Sequence, residues 1–183
     1  WDSHHIRVSV KVHRSIQAAN VLEDQLGWRV AMPTIEELQA SCDAGLHPQG
    51  SEGEQPFCLL PFSHPIRRDD KRISGPLWTG PLFDQDVLAS MTVERAVALC
   101  GETAEPAVRH WVDEAELATV PSLIITDMLP KFCEVTGPPK IVELVTGLKE
   151  AGYKAAVARW GAPAIRTDAP WPIVLKTTEA CFD

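Results

Sequence analysis

Residues 6–13 (Ile-Arg-Val-Ser-Val-Lys-Val-His) alternate strictly between apolar and polar. A period of two predicts a half-buried strand with one wet face. Arg7, Ser9, Lys11 and His13 share that face. Ile16, Ala19, Leu22 and Leu26 then recur at helical spacing, which predicts a short helix over residues 16–26. A second strand is expected over residues 28–31. Residues 41–75 are rich in Gly, Pro, Ser and charge and keep no period. They are expected to form a long surface loop or insertion.

Residues 74–83 read Ser-Gly-Pro-Leu-Trp-Thr-Gly-Pro-Leu-Phe. Proline has no amide hydrogen, so two closely spaced Gly-Pro-Leu units exclude a helix or a central strand. A stiff, irregular, apolar crossing is expected. Asp84 is placed to cap a helix starting near Gln85, and another helix is expected over residues 93–100. Residues 105–120 predict a further helix, with Val108, Trp111, Val112, Ala115 and Leu117 as its buried stripe.

The last third has the clearest grammar. Residues 123–133 are apolar at helical spacing despite Pro130. Thr136-Gly137-Pro138-Pro139 is a turn feeding a helix over residues 140–151, with Ile141, Leu144, Val145 and Leu148 facing the core and Gly152 as the stop. Residues 153–159 alternate as a strand, Gly161-Ala162-Pro163 turns, and residues 164–167 return. Helix, turn, helix, hairpin is the order of a winged-helix module, though any small α+β unit can share it. The fold class expected is therefore α+β. An N-terminal β-containing subdomain with helices spans residues 1–120, and a winged-helix-like C-terminal unit spans residues 121–183.

Composition sets the outer bounds. The 183 residues are 45% apolar and 23% charged, as in an ordinary globular protein. The longest apolar runs, 123–125 and 155–158, are far too short to cross a bilayer. No secretory signal is present. The chain starts at Trp1, inside an expected strand, so it reads as a C-terminal piece of something longer. The net charge is −8. Residues 131–176 nonetheless carry seven Lys or Arg against four acidic side chains. This is either a solvated helix face or a small polyanion-binding module on an acidic body. The global acidity opposes a sequence-blind nucleic-acid binder.

The cysteines Cys42, Cys58, Cys100, Cys133 and Cys181 stand alone, with no Cys-x-x-Cys pair. Cys42 and Cys58 with His47 and His64 have the wrong spacing for zinc, so no metal site is expected. Scattered cysteines fit a reducing compartment, and a cytoplasmic location is expected, with nucleus or organelle open. No glycine-rich cofactor loop, phosphate loop or nucleophile elbow is present. Asp168-Ala169-Pro170-Trp171 looks like the acidic-Pro-Pro-aromatic tetrapeptide with which amino-methyltransferases hold an exocyclic amine, but Ala169 replaces the first Pro and no cofactor unit precedes it. A structural role is expected. Pro138-Pro139-Lys140 likewise reads as a helix start. Of the six Trp, most are expected in cores. Trp160, at a hairpin tip beside Arg159, is the exception. His4 and His5 are assigned no chemistry.

Gly75-Pro-Leu-Trp-Thr-Gly-Pro-Leu-Phe-Asp84 resembles the Gly-Pro-hydrophobic-Trp-x-Gly-Pro-Leu-x-Asp segment of the tRNA (guanine-26-N2)-dimethyltransferases. Pro138-Pro-Lys140, Leu148-Lys-Glu-Ala-Gly-Tyr153 and Ile165-Arg-Thr-Asp-Ala-Pro170 match in the same order. The strand Ile6-Arg-Val-Ser-Val-Lys-Val12 is similar to the one opening that family's C-terminal domain. Much of the family carries a Cys-x-x-Cys-type segment before the Gly-Pro-Leu-Trp crossing; here only Cys42 and Cys58 remain. The resemblance implies a C-terminal tRNA-engaging domain of an S-adenosylmethionine-dependent enzyme that methylates the N2 amine of guanine 26. The catalytic domain and its cofactor would lie upstream, so this chain alone is expected to be inactive, with no catalytic or cofactor-binding residues. Lys140, Lys154, Arg159, Trp160, Arg166 and Lys176 are the candidate RNA contacts. Leu77, Trp78, Leu82 and Phe83 are the candidate apolar patch toward the catalytic domain. The alternative is a winged-helix nucleic-acid-binding or protein-interaction module without catalytic activity. A degenerate paralogue that binds tRNA without methylating it also stays open.

Overall fold

The computed structural model describes residues 12, 14–52, 55–158 and 162–182. Apart from Val12, the strand expected over residues 6–13 lies outside them, as do Arg159 and Trp160. The chain is α+β, built on two small antiparallel sheets.

The first sheet has four strands: β1 (Leu26–Ala31), β2 (Gly50–Glu52), β3 (Gln55–Pro61) and β4 (Ile73–Trp78), in the order β2-β3-β1-β4. Before it, a short helix α1 (Ile16–Asn20) and a 3-10 turn (Leu22–Gln25) replace the single helix expected over 16–26. Ile16 is 82% and Leu22 48% exposed, so the periodic stripe finds no packing partner. Leu26 instead enters β1 and pairs with Trp78.

The expected loop over 41–75 is corrected more sharply, because β2, β3 and the start of β4 form within it. In β3 the residues Pro56, Cys58 and Leu60 are buried, while Phe57 and Leu59 are half-buried. Both faces carry apolar side chains, so no clean alternation appears in the sequence. β4 is an edge strand with a cis Gly75–Pro76 bond and a register shift opposite residues 27–29. That is where a proline-bearing strand is tolerated. The helix α2 (Ile35–Asp43), capped by Thr34 accepting from the Glu37 amide at 3.1 Å, adds Leu38 to a core of Val30, Met32, Cys58 and Leu60.

Asp84 caps α3 (Gln85–Ser90) by accepting from the amides of Asp86 and Val87, and Thr92 caps α4 (Val93–Cys100). Both helices lie where expected. The next helix, α5 (Glu105–Glu114), ends early and continues as a 3-10 turn, Ala115–Leu117. Val108 and Leu117 are buried, but Trp111 is 40% and Val112 45% exposed. Two of the five expected stripe residues therefore face out.

The second sheet joins β5 (Ile124–Ile125), β6 (Ala155–Ala158) and β7 (Ala164–Thr167) in the order β5-β7-β6. Residues 123–133, expected as a helix, form β5 and then a 3-10 segment, Thr126–Lys131. Ile124 and Ile125 pair with Ile165 and Ala164, while Met128 and Leu129 are wholly buried. β-branched residues with a strand partner gain more by pairing than by helix formation. The helix α6 (Ile141–Glu150) buries Leu144, Val145 and Leu148, as its spacing predicts, and Gly152 at φ 89 ends the segment. α7 (Trp171–Ala180) packs beside it, with Trp171 and Val174 in the same core.

The two sheets are sewn together at β2. The Ser51 amide donates to Leu123 O at 2.8 Å, and Ser51 Oγ accepts from the Ile125 amide at 2.7 Å. Ser122 Oγ donates to Gln49 O at 2.5 Å. The approach is close enough that a Cβ on Gly50 would lie 2.6 Å from Ser122 Cβ, 2.7 Å from the Phe57 ring and 3.0 Å from Leu123 O. Gly50→Ala should therefore destabilise the chain by about 1–3 kcal/mol through overpacking. Gly137→Ala, which meets nothing within 4 Å, should be neutral. Urea unfolding of both variants measures the difference.

The turn entering β4 depends on Arg72, whose guanidinium lies 2.6 Å from Asp70 Oδ2. Its side-chain and backbone donors pull the Asp70 carboxyl down to about 2. A depressed folded value means this contribution is present above the unfolded pKa of about 3.9 and is lost as pH falls toward the folded one. In an NMR titration Asp70 should have a midpoint of about 2. In Arg72→Gln it should return toward about 3.9.

Candidate functional site

The candidate RNA contacts do not all reach the surface. Arg166 sits on the central strand β7, and its side chain is 10% exposed. Its Nε lies 3.2 Å from Glu114 Oε2, on a side chain 8% exposed. One terminal nitrogen donates to Val120 O at 2.6 Å and Ser122 O at 2.9 Å. Arg166 is therefore removed from the expected basic face. Strand alternation explains why: Ile165 enters the core shared with α6, so Arg166 points the opposite way, to α5. Sequence reasoning missed this pair. An arginine flanked by Ala164, Ile165 and Thr167 in a short strand was the available signal, since a buried guanidinium needs a carboxylate.

The remaining described cations are spread out. Lys140 precedes α6, and its Nζ is 2.8 Å from Glu143 Oε1. Glu143 also occupies the first turn, where a phosphate would otherwise meet the helix amides. Lys154 lies beyond the other end of α6, about 15 Å away for ten residues at 1.5 Å each. Its amide donates to Asp168 Oδ1 at 2.8 Å, and its Nζ is 3.5 Å from Glu116 O. Lys176 is exposed on α7.

The Asp168–Trp171 tetrapeptide has a structural role, as expected. Trp171 is 3% exposed and sits edge-to-face on Phe132 with centroids 5.6 Å apart. Asp168 is engaged with the Lys154 amide. Trp28 stacks on Phe62 at 5.7 Å, also within the fold.

Leu77 is 39%, Trp78 49% and Leu82 39% exposed, and Phe83 is half-buried. The crossing is held in place by two hydrogen bonds: the Trp78 indole donates to Pro81 O at 3.1 Å and the Leu82 amide to Ala118 O at 2.8 Å. Its apolar side chains are thereby presented to solvent.

A cleft of about 840 Å³ opens where the two sheets meet. Buried Leu60 and Ile124 form part of its wall, and exposed Glu23, Asp24 and Asp168 line it. Among the described residues, no three His, Cys, Asp or Glu side chains gather to hold a metal. The five thiols are unpaired. Burial raises those of Cys42, Cys58 and Cys181 and pushes Cys133 up to about 11. Protonated thiols are poor nucleophiles and poor ligands. No helix among the described residues is long and apolar enough to cross a membrane.

The profile of the N2,N2-dimethylguanosine tRNA methyltransferase family matches residues 1–179. The chain belongs to this family. Among its relatives, the tRNA (guanine(26)-N(2))-dimethyltransferase of Methanocorpusculum labreanum is 28% identical over 177 residues, covering 94% of this chain and 42% of the relative. That of Aeropyrum pernix is 28% identical, covering 96% and 40%. That of Schizosaccharomyces pombe is 31% identical over 111 residues, covering 56% and 19%. The chain thus spans about two-fifths of the length of the archaeal relatives. A solved structure of Trm1 from Pyrococcus horikoshii, in complex with S-adenosyl-L-methionine, superposes with a TM-score of 0.61 at 19% identity, covering 88% of this chain and 37% of that one. The α+β fold is therefore shared with this family of tRNA methyltransferases.

Within the family fold, Arg166 is an internal tie. Arg166→Ala should destabilise the chain by about 3–5 kcal/mol, because it breaks a buried ion pair and leaves the Val120 and Ser122 carbonyls without their guanidinium donor. Arg166→Leu combined with Glu114→Leu should recover much of the loss. Urea unfolding of the single and double variants reads both.

Proposed function

We propose that this chain is the C-terminal, tRNA-engaging part of an S-adenosylmethionine-dependent tRNA (guanine-26-N2)-dimethyltransferase, with its catalytic domain upstream. The observation that carries the reading is the family match over residues 1–179 in a chain that spans about two-fifths of its relatives. The cofactor does not fit the described residues. Nucleotide cofactors bind at the carboxyl ends of parallel strands beside a glycine-rich turn. Both sheets here are antiparallel, and no Gly-x-Gly loop is present. The chain alone is accordingly proposed to be inactive, and no methyl-transfer step is assigned to its residues.

Two surfaces have proposed roles. Residues 121–183 form the winged-helix-like unit, a reading supported by α6 preceding the β6–β7 hairpin, with β5 and a 3-10 segment standing where its first helix was expected. Lys140, Lys154 and Lys176 reach tRNA phosphates from it, together with Arg159 and Trp160, which lie outside the described residues. Residues 1–120 form the other subdomain. Its patch of Leu77, Trp78, Leu82 and Phe83 docks on the upstream domain. The proposed setting is the cytoplasm, with nucleus or organelle open. A target base inside the tRNA fold must be extracted, and an enzyme that grips the tRNA body can hold it while that happens.

The test is methylation of tRNA by the full-length protein with and without residues 1–183. Deletion should abolish activity, and calorimetry of the 183-residue chain should show no S-adenosylmethionine binding. Replacing Lys140, Lys154 and Lys176 with Ala in the full-length protein should weaken tRNA binding. The log–log salt slope should flatten by about 0.7–0.9 for each phosphate that is no longer neutralised. Undiminished methylation by the deleted protein would reject the assignment.

A further inference from the structure

The cleft between the two sheets is anionic, and the family reading does not use it. Glu23 and Asp24 line it from the 3-10 turn before β1, and Asp168 from the segment after β7. Among the described residues no Lys or Arg lines it. Its remaining polar lining comes from hydroxyl, amide and imidazole groups, among them Ser63, Thr79, Gln49 and His47. Buried Leu60 and Ile124 form an apolar part of the wall. Such a lining repels phosphate and matches a guest that brings positive charge and aliphatic surface.

We propose that this cleft is a docking groove for a polypeptide segment in which Arg or Lys alternates with apolar residues, and that it is closed to RNA. Charge complementarity selects this occupant: the carboxylates meet the cations while the wall takes the aliphatic side chains. The proposal rests on the cleft alone and stands whether or not the chain belongs to an active methyltransferase. A groove of about 840 Å³ is of ligand-binding size. Cationic side chains can lay their stems along its apolar wall.

The experiment titrates the 183-residue chain with two blocked peptides, Leu-Arg-Leu-Arg-Leu-Arg and Leu-Glu-Leu-Glu-Leu-Glu, by calorimetry. The arginine peptide should bind, more weakly at high salt, and the glutamate peptide should not. The triple variant Glu23→Gln, Asp24→Asn, Asp168→Asn should lose about tenfold in affinity, the sum of three exposed ion pairs. Asn at position 168 still offers an acceptor to the Lys154 amide, so the fold is kept. A control with Glu36, Glu102 and Glu150 changed to Gln alters net charge equally and should bind as the parent does. Hydrogen exchange should show the peptide protecting residues 59–63. Equal losses in both triple variants, binding of the glutamate peptide, no binding of either, or protection of residues 59–63 by tRNA instead would each overturn the proposal.

Discussion

A buried cation organises the fold: Arg166 stands on the middle strand of a three-stranded sheet and meets Glu114 from α5 and the carbonyls of Val120 and Ser122. Removing a guanidinium from water costs several kcal/mol unless every donor is matched. The arrangement therefore fixes α5, the 118–123 segment and β7 relative to one another. That segment then delivers Ser122 and Leu123 to β2, where Gly50 lets the backbones approach. The seam between the sheets and the cleft beside it both follow from this placement.

The proposed roles fall on separate surfaces of the described fold. The candidate lysines Lys140, Lys154 and Lys176 lie at opposite ends of α6 and on α7. The apolar crossing at Leu77, Trp78 and Leu82 is pinned by two hydrogen bonds and left uncovered. The cleft is lined by Glu23, Asp24 and Asp168 beside apolar side chains, with no Lys or Arg among the described residues. These three surfaces differ in chemistry, so the occupants proposed for them need not compete for one site.

Much of the fold was legible where local rules dominate. Asp84 and Thr92 cap helices that begin where their side chains dictate, and α6 buries the residues its 3.6 period selects. Gly152 and the β6–β7 hairpin follow as the pattern requires. Legibility failed where apolar residues lie on both faces, as in β3, and where a helical stripe lacks a partner, as at Ile16 and Leu22. It failed again at Ile124 and Ile125, whose strand partner lies about 40 residues further along the chain.

The amino-acid sequence by itself determined the family, through four ordered motifs. It also determined the helices capped by Asp84 and Thr92, and α6 with its stop and the following hairpin in the C-terminal third. These rest on short-range bonds and on residue types that few other sequences combine. Only the tertiary structure decided which charges are available to a partner. Arg166 and Lys154 look equivalent in sequence, both cationic and both within one hairpin. Strand alternation turns Arg166 inward against a carboxylate 52 residues away, while Lys154 stays at the surface. The apolar neighbours of Arg166 hint at burial, but its partner lies far along the chain, so only the fold separates the inward-facing cation from the surface one.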